Sequence, residues 1–254
     1  MKRILLLCSV FILFTVSAVA QKDQSGKPWT EWTEKEAMKV LADSPWSQTQ
    51  KELTDSGATG PTVTSAAQNG NSANMVMSDA AKNSSESGQN VGNRNVSKTA
   101  VYNISFLTAK PVRAAFIRMI ELQMPDTPAD KVAERRTFID KDFSEYVVVT
   151  LKLDGNDQKT LAPAKQLLGG GTAETMKNLA YLERKDGKRL ALMEYRAPGP
   201  DHLGAKFIFP RTLDGKPFLE ANSGEVRVYL EIGKTKLSRR FKVADMIYDG
   251  KLEY

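Results

Sequence analysis

The chain has 254 residues, a formal net charge of +6, one cysteine and one histidine. These counts exclude a disulfide framework and the usual Cys and His ligand set of a structural zinc site. We predict that the protein needs no metal and no cofactor.

Residues 1–20 have the pattern of a cleaved secretory signal peptide of bacterial type. Two basic residues precede an almost unbroken apolar run from Ile4 to Val16, and the small residues Ala18 and Ala20 suit signal peptidase. A membrane span needs about 20 apolar residues, so the run is too short for an anchor. We expect cleavage near Ala20 and an exported chain, periplasmic or extracellular, with a net charge of +4 and no later membrane span.

Residues 21–50 are predicted to form a short helical unit. Thr33 and Glu36 make a capping box at the start of its helix, and Pro45 stops it. Three tryptophans flank the helix and are weak candidates for a binding site: Trp29, Trp32 and Trp46. They would either clamp the helix onto the main domain or form a platform for a sugar or peptide. Because large aromatic side chains dominate burial, clamping is the favoured interpretation.

Residues 51–99 are predicted to be a polar, low-complexity linker. The stretch 55–99 is rich in Ser, Asn, Gly, Ala, Gln and Thr and has no aromatic residue, so it cannot bury enough surface to offset its ordering entropy. Whether it orders on a partner stays open.

Residues 100–254 are predicted to form one globular domain. A strand with alternating apolar residues begins near Val101, and a helical pair follows in 109–140, with Thr108 capping the first helix and Asp130 completing the cap of the second. The apolar run Tyr146–Leu153 indicates a central strand.

The second half of this domain reads as strands with short turns. Asp186-Gly187 marks a hairpin, and a short helix is predicted over 162–168. The final hairpin points Val226, Val228, Leu230 and Ile232 one way, with acids on one strand facing bases on the next. Arg239 interrupts the apolar side, which places it near an edge or beside an acid. The predicted fold is therefore a β-rich α+β domain, an antiparallel sheet or β-sandwich decorated by a helical pair, with a short N-terminal helix.

Residue patterns of known catalytic sites are absent from the sequence. His202 lies in a turn-rich loop without a Gly-x-Ser-x-Gly elbow, which is typical of a plain loop histidine. Gly169–Gly171 lacks the lysine of a phosphate loop and is interpreted as a helix cap. The sequence at 154–157 lacks the ligand order of a calcium loop and is interpreted as a solvated turn.

Carboxylates in or beside loops leave a hydrolase open, although the sequence does not show which of them converge. The candidates are Asp140, Asp142, Glu145, Asp201, Asp214 and Glu220. Basic doublets mostly neighbour acids, so we interpret them as solvated strand faces and expect no nucleic-acid binding.

Three stretches carry a resemblance to a known group. They are the opening from Trp32 to Trp46 (WTEKEA, VL and SPW), Ala109–Ala115, and the tail Phe241–Glu253 (FKV, DM and GKLE). They resemble uncharacterised secreted bacterial proteins of acidobacterial type. The resemblance implies one exported domain and argues against a known enzyme fold, and it carries no activity.

Three functions follow as expectations. The first is a non-catalytic binding or structural module of the periplasm or cell envelope, with an envelope component or a protein as partner. The second is a hydrolase, which requires a cleft holding two acids about 5 to 9 Å apart. The third is an electrostatic binder of anionic envelope polymers, whose binding would fall steeply with salt. A flat sheet face with exposed aromatic residues would favour binding.

Overall fold

A computed structural model describes residues 27–54 and 98–254. The predicted signal peptide and most of the predicted linker lie outside the described residues. The helices are α1 Glu34–Ala42, α2 Lys110–Gln123, α3 Ala129–Arg136, α4 Gln158–Gly170 and α5 Ala173–Met176. The strands are β1 Asp43–Ser44, β2 Ser47–Thr54, β3 Lys98–Phe106, β4 Tyr146–Gly155, β5 Ala180–Arg184, β6 Arg189–Ala191, β7 Glu194–Arg196, β8 Ala205–Pro210, β9 Thr212–Leu213, β10 Lys216–Pro217, β11 Glu225–Ile232, β12 Thr235–Lys242, β13 Ile247–Tyr248 and β14 Lys251–Leu252.

Two antiparallel sheets form the main body. The six-stranded sheet has the order β1-β2-β3-β4-β8-β7, and the four-stranded sheet has the order β12-β11-β5-β6. Their inner faces share one core, in which Phe106 on β3 meets Phe241 on β12 edge to face, with ring centroids 5.0 Å apart. The prediction of a β-rich α+β fold is confirmed, and the paired sheets have the arrangement of a sandwich.

A helical layer packs beside the sheets. The predicted pair in 109–140 corresponds to α2 and α3, and α2 also packs against α1. Because alanines on α1 and α2 let the two helices approach closely, Ala37, Ala114 and Ala115 are fully buried there with Trp32 and Ile139. This second, smaller core holds α2 against α1.

The boundary predicted at residue 51 differs from the structure. Strand β2 continues to Thr54 and pairs with β3 along its whole length, from Thr54 opposite Lys98 to Ser47 opposite Ser105. The segment predicted as a short helical N-terminal unit therefore also supplies strands to the six-stranded sheet. Its strand has one apolar residue, Leu53, so it lacks the alternation by which sequence reveals strands.

The predicted helix caps of the central region are wrong. The Thr108 hydroxyl accepts a hydrogen bond from the Val148 amide, so it joins two chain segments and does not cap α2. Pro128 precedes α3 without a side-chain cap, so Asp130 has no cap to complete. Helix α4 begins earlier than predicted because Asp157, interpreted as part of a solvated turn, is buried and caps it.

The final hairpin follows its predicted pattern. Its four inward side chains on β11 are essentially inaccessible to solvent, and β12 is the edge strand on which Arg239 was expected. Arg239 donates to the Thr49 carbonyl oxygen, and burial lowers the pKa of its guanidinium. Acids face bases at two cross-strand pairs, but Arg227 lies directly opposite Arg240.

The capping box of α1 yields a pH prediction. Glu36 accepts hydrogen bonds from the Lys27 ammonium and the Thr33 amide, 2.8 and 2.7 Å away, which lower its pKa from 4.5 to about 2. Because the folded pKa is depressed, the cap's stabilisation is present above pH 4.5 and lost as the pH falls towards 2. An NMR titration of the Glu36 carboxyl should show this low pKa, and Lys27→Ala should raise it. An unchanged pKa in Lys27→Ala would contradict the assignment.

Candidate functional site

The three tryptophans do not form one surface. Trp46 is 6% exposed in the main core and donates its indole N–H to the Glu253 carbonyl oxygen at 2.8 Å. Trp32 is 5% exposed in the helical core, and Trp29 is partly buried with the Arg136 guanidinium 5.2 Å from its ring centroid. Since two of the rings are buried in different cores, the geometry matches the clamping interpretation.

The glycines at 169–171 lie at the end of a helix, and His202 lies in a loop. Gly171 is the residue that ends α4, and Thr172 caps α5. His202 is exposed in the loop before β8, with a positive φ of 58°. The neighbouring Asp201 pairs with Lys206 at 2.8 Å, so this acid holds the loop to the strand.

One cleft gathers two of the predicted loop carboxylates. Its volume is about 650 Å³, and it lies between the start of α2, the segment 139–144 and the hairpin of β13 and β14. Asp140 and Asp142 line it together with Asp249 and Glu253, whereas Glu145, Asp201, Asp214 and Glu220 do not. We call it the α2 cleft.

Three acids that line the α2 cleft have ion-pair or hydrogen-bond partners on the protein. Asp140 pairs with the Lys110 ammonium at 2.7 Å, and Glu253 accepts from the Lys110 amide at 2.9 Å. Hydrogen bonds from Ser144 lower the pKa of Asp142, the opposite of what a general acid requires. In the described part of the chain, no group of three or more His, Cys, Asp or Glu side chains could hold a metal ion.

A second surface is the outer face of the four-stranded sheet. Alternation on β11 buries its valines, leucine and isoleucine and leaves the intervening residues on the other side. The residues that define this tyrosine–arginine face are Tyr181, Arg189, Arg227, Tyr229, Ser238 and Arg240.

An aromatic stack forms the centre of the tyrosine–arginine face. Tyr181 and Tyr229 are register partners on β5 and β11, and their rings stack with centroids 4.7 Å apart and planes 15° apart. The Arg189 guanidinium lies 4.3 Å from the Tyr181 ring centroid. Glu183 forms ion pairs with both Arg189 and Arg227, which holds the charged border of the stack in place.

The stack is open on its β12 side. The residue opposite Tyr229 on β12 is Ser238, which is small and exposed. One neighbouring cross-strand pair is Arg227 and Arg240, and among the described side chains Arg240 has no ion-pair partner. The face therefore combines a stacked tyrosine pair with cationic side chains beside it.

The sequence revealed only part of this surface. The alternation of β11 predicts Tyr229 on its polar side, where the basic residues indicate a solvated face. The sequence feature that indicates a binding surface is this aromatic residue among charged ones. Its stacking partner, Tyr181, becomes visible only when β5 is known to pair with β11.

Comparisons of the chain with protein-family models, curated proteins and solved structures find no match. Within the described ranges, no helix is long and apolar enough to cross a membrane.

Proposed function

We propose that the protein is an exported, non-catalytic binding module of the periplasm or cell envelope that binds an anionic envelope polymer. The tyrosine–arginine face is the observation that carries this proposal. Its ring stack, open over Ser238, offers an apolar wall for a sugar ring, and the adjacent guanidiniums offer donors for carboxylate or phosphate groups.

The charge arrangement supports an anionic ligand. Like charges directly opposite each other on neighbouring strands are destabilising, and Arg227 and Arg240 are such a pair. Glu183 compensates Arg227, while no described side chain forms an ion pair with Arg240. An anion bound beside Ser238 would reduce the repulsion of this pair and contact the unpaired guanidinium.

Co-sedimentation tests the proposal. Protein recovered after export from cells expressing the full chain is mixed with peptidoglycan or with outer-membrane vesicles, at about 0.05 M and about 0.5 M salt. We expect the wild type to sediment with one of these materials and to be released partly by salt. If the protein sediments with neither material, an envelope polymer is refuted as the ligand. A screen for hydrolysis would then follow.

Variants of the face locate the binding. Because each replaced contact contributes about 1 kcal/mol, Arg240→Glu and Tyr229→Ala should each weaken binding about fivefold to tenfold. Lys165→Glu is the matched control, since it changes the net charge equally at an exposed position on α4. If Arg240→Glu and Lys165→Glu bind alike, only the overall charge matters and the face is not the site.

A further inference from the structure

The α2 cleft contains a buried cation that the proposed function does not use. Arg113 is 5% exposed, and its guanidinium lies 4.6 Å from the Phe143 ring centroid. Its Nε and Nη1 donate to the carbonyl oxygens of Ile139 and Thr108, at 3.1 and 2.8 Å. Burying a charge without an ion-pair partner is costly, so a negative group beside the Arg113 guanidinium would be favourable.

A second guanidinium is close to the first. Arg211 also lines the cleft and donates from Nη1 to the carbonyl oxygens of Phe143 and Tyr254, at 3.3 and 2.9 Å. Burial lowers the pKa of Arg113, and the positive charge of Arg211 lowers it further, while Glu253 and Asp140 act against this. Both arginines contact Phe143, Arg113 through the aromatic ring and Arg211 through the carbonyl oxygen.

Arg113 keeps hydrogen-bond donors that no described residue uses. A guanidinium has five N–H donors, and no described residue accepts a hydrogen bond from Nη2 of Arg113. Neither guanidinium forms an ion pair with a described Asp or Glu side chain, because Asp140 and Glu253 contact Lys110 and Asp142 contacts Ser144. Lys141 and Lys251 add two exposed ammonium groups to the cleft lining.

We propose that the α2 cleft is a binding site for an oxyanion, a carboxylate or phosphate group, held by Arg113 and Arg211 and attracted by Lys141 and Lys251. Paired guanidiniums suit the planar or tetrahedral oxygens of such groups, and the cleft volume accommodates the rest of a small ligand. This site is separate from the tyrosine–arginine face and does not depend on the function proposed for it.

Titration with small anions tests the site. Inorganic phosphate, acetate and chloride are added to the folded protein at a constant ionic strength of about 0.1 M, and amide shifts are followed by NMR. We expect saturable shifts for phosphate or acetate at the amides of Lys110, Ser144 and Lys251, and none for chloride. The two oxyanions distinguish a phosphate ligand from a carboxylate. Equal shifts with chloride, or shifts confined to the four-stranded sheet, would overturn the proposal.

Variants of exposed lysines in the cleft lining test the site without disturbing the fold. Arg113→Lys retains the charge but loses the contacts to Thr108 or Ile139, and it could therefore fail to fold. Lys251→Glu and Lys141→Glu change exposed residues and should weaken oxyanion binding about fivefold or more. Lys165→Glu, which makes the same change of charge at an exposed position away from the cleft, should leave it unchanged. Equal affinities in Lys251→Glu and Lys165→Glu would overturn the proposal.

Discussion

Phe241→Ala should destabilise the protein by about 3 to 5 kcal/mol, because the lost ring leaves a cavity where the two sheets meet. Phe241 is 1% exposed and packs edge to face on Phe106 of the opposite sheet. Because β12 is an edge strand with one neighbour in its own sheet, the packing of Phe241 on the opposite sheet helps to hold this strand in place. Urea denaturation followed by fluorescence of the buried tryptophans measures the effect.

Two variants complete this experiment. Lys242→Ala alters the next residue, which faces solvent, and surface changes of this kind stay within about 0.5 kcal/mol. Phe241→Leu keeps most of the volume and should cost less than Phe241→Ala. If Phe241→Ala and Lys242→Ala lower the free energy of unfolding by the same amount, the packing of Phe241 between the sheets does not stabilise the protein.

Gly155→Ala should destabilise the protein by more than the roughly 1 to 3 kcal/mol that a strained backbone conformation costs by itself. Gly155 ends β4 with a φ of +117°, and a Cβ there would lie 2.2 Å from the carbonyl oxygen of Thr99. That oxygen accepts hydrogen bonds from the amides of Asn156 and Asp157, so moving it disturbs the chain entering α4.

Gly187 provides a matched control for the destabilisation that a side chain causes at a positive φ. It has a φ of +83° in the turn between β5 and β6, and a Cβ there meets nothing within 4 Å. Gly187→Ala therefore tests the cost of positive φ alone, and the difference between the two variants measures the close approach at Thr99. Equal losses of unfolding free energy would show that this close approach costs nothing.

The sequence predicted those structural elements whose pattern is contained within a few neighbouring residues. The final hairpin was visible because Val226 to Ile232 alternate strictly, and the α1 cap because Thr33 and Glu36 are three residues apart. Strand β2 was missed because its polar residues show no alternation. It is stabilised by pairing with a strand more than forty residues away.

The candidate surfaces depend on contacts between residues that are far apart in the sequence, and local patterns do not predict such contacts. No local pattern marks Arg113 as a site residue, yet its guanidinium donates to the carbonyl oxygen of Ile139, 26 residues further along the chain. The tyrosine stack requires β5 to pair with β11, and the α2 cleft requires Glu253 to reach the first amide of α2. Such long-range pairings are decided by the packing of the whole core.

The pairing of Thr54 with Lys98 has a consequence for how the chain can change length. These residues are register partners at the joined end of β2 and β3, so the points where segment 55–97 leaves and re-enters the sheet are fixed side by side. For a flexible loop, the free-energy cost of closure grows only logarithmically, by about 0.6 kcal/mol for each doubling of its length. Insertions, deletions or a whole grafted domain at this junction should therefore leave the registers of both sheets unchanged.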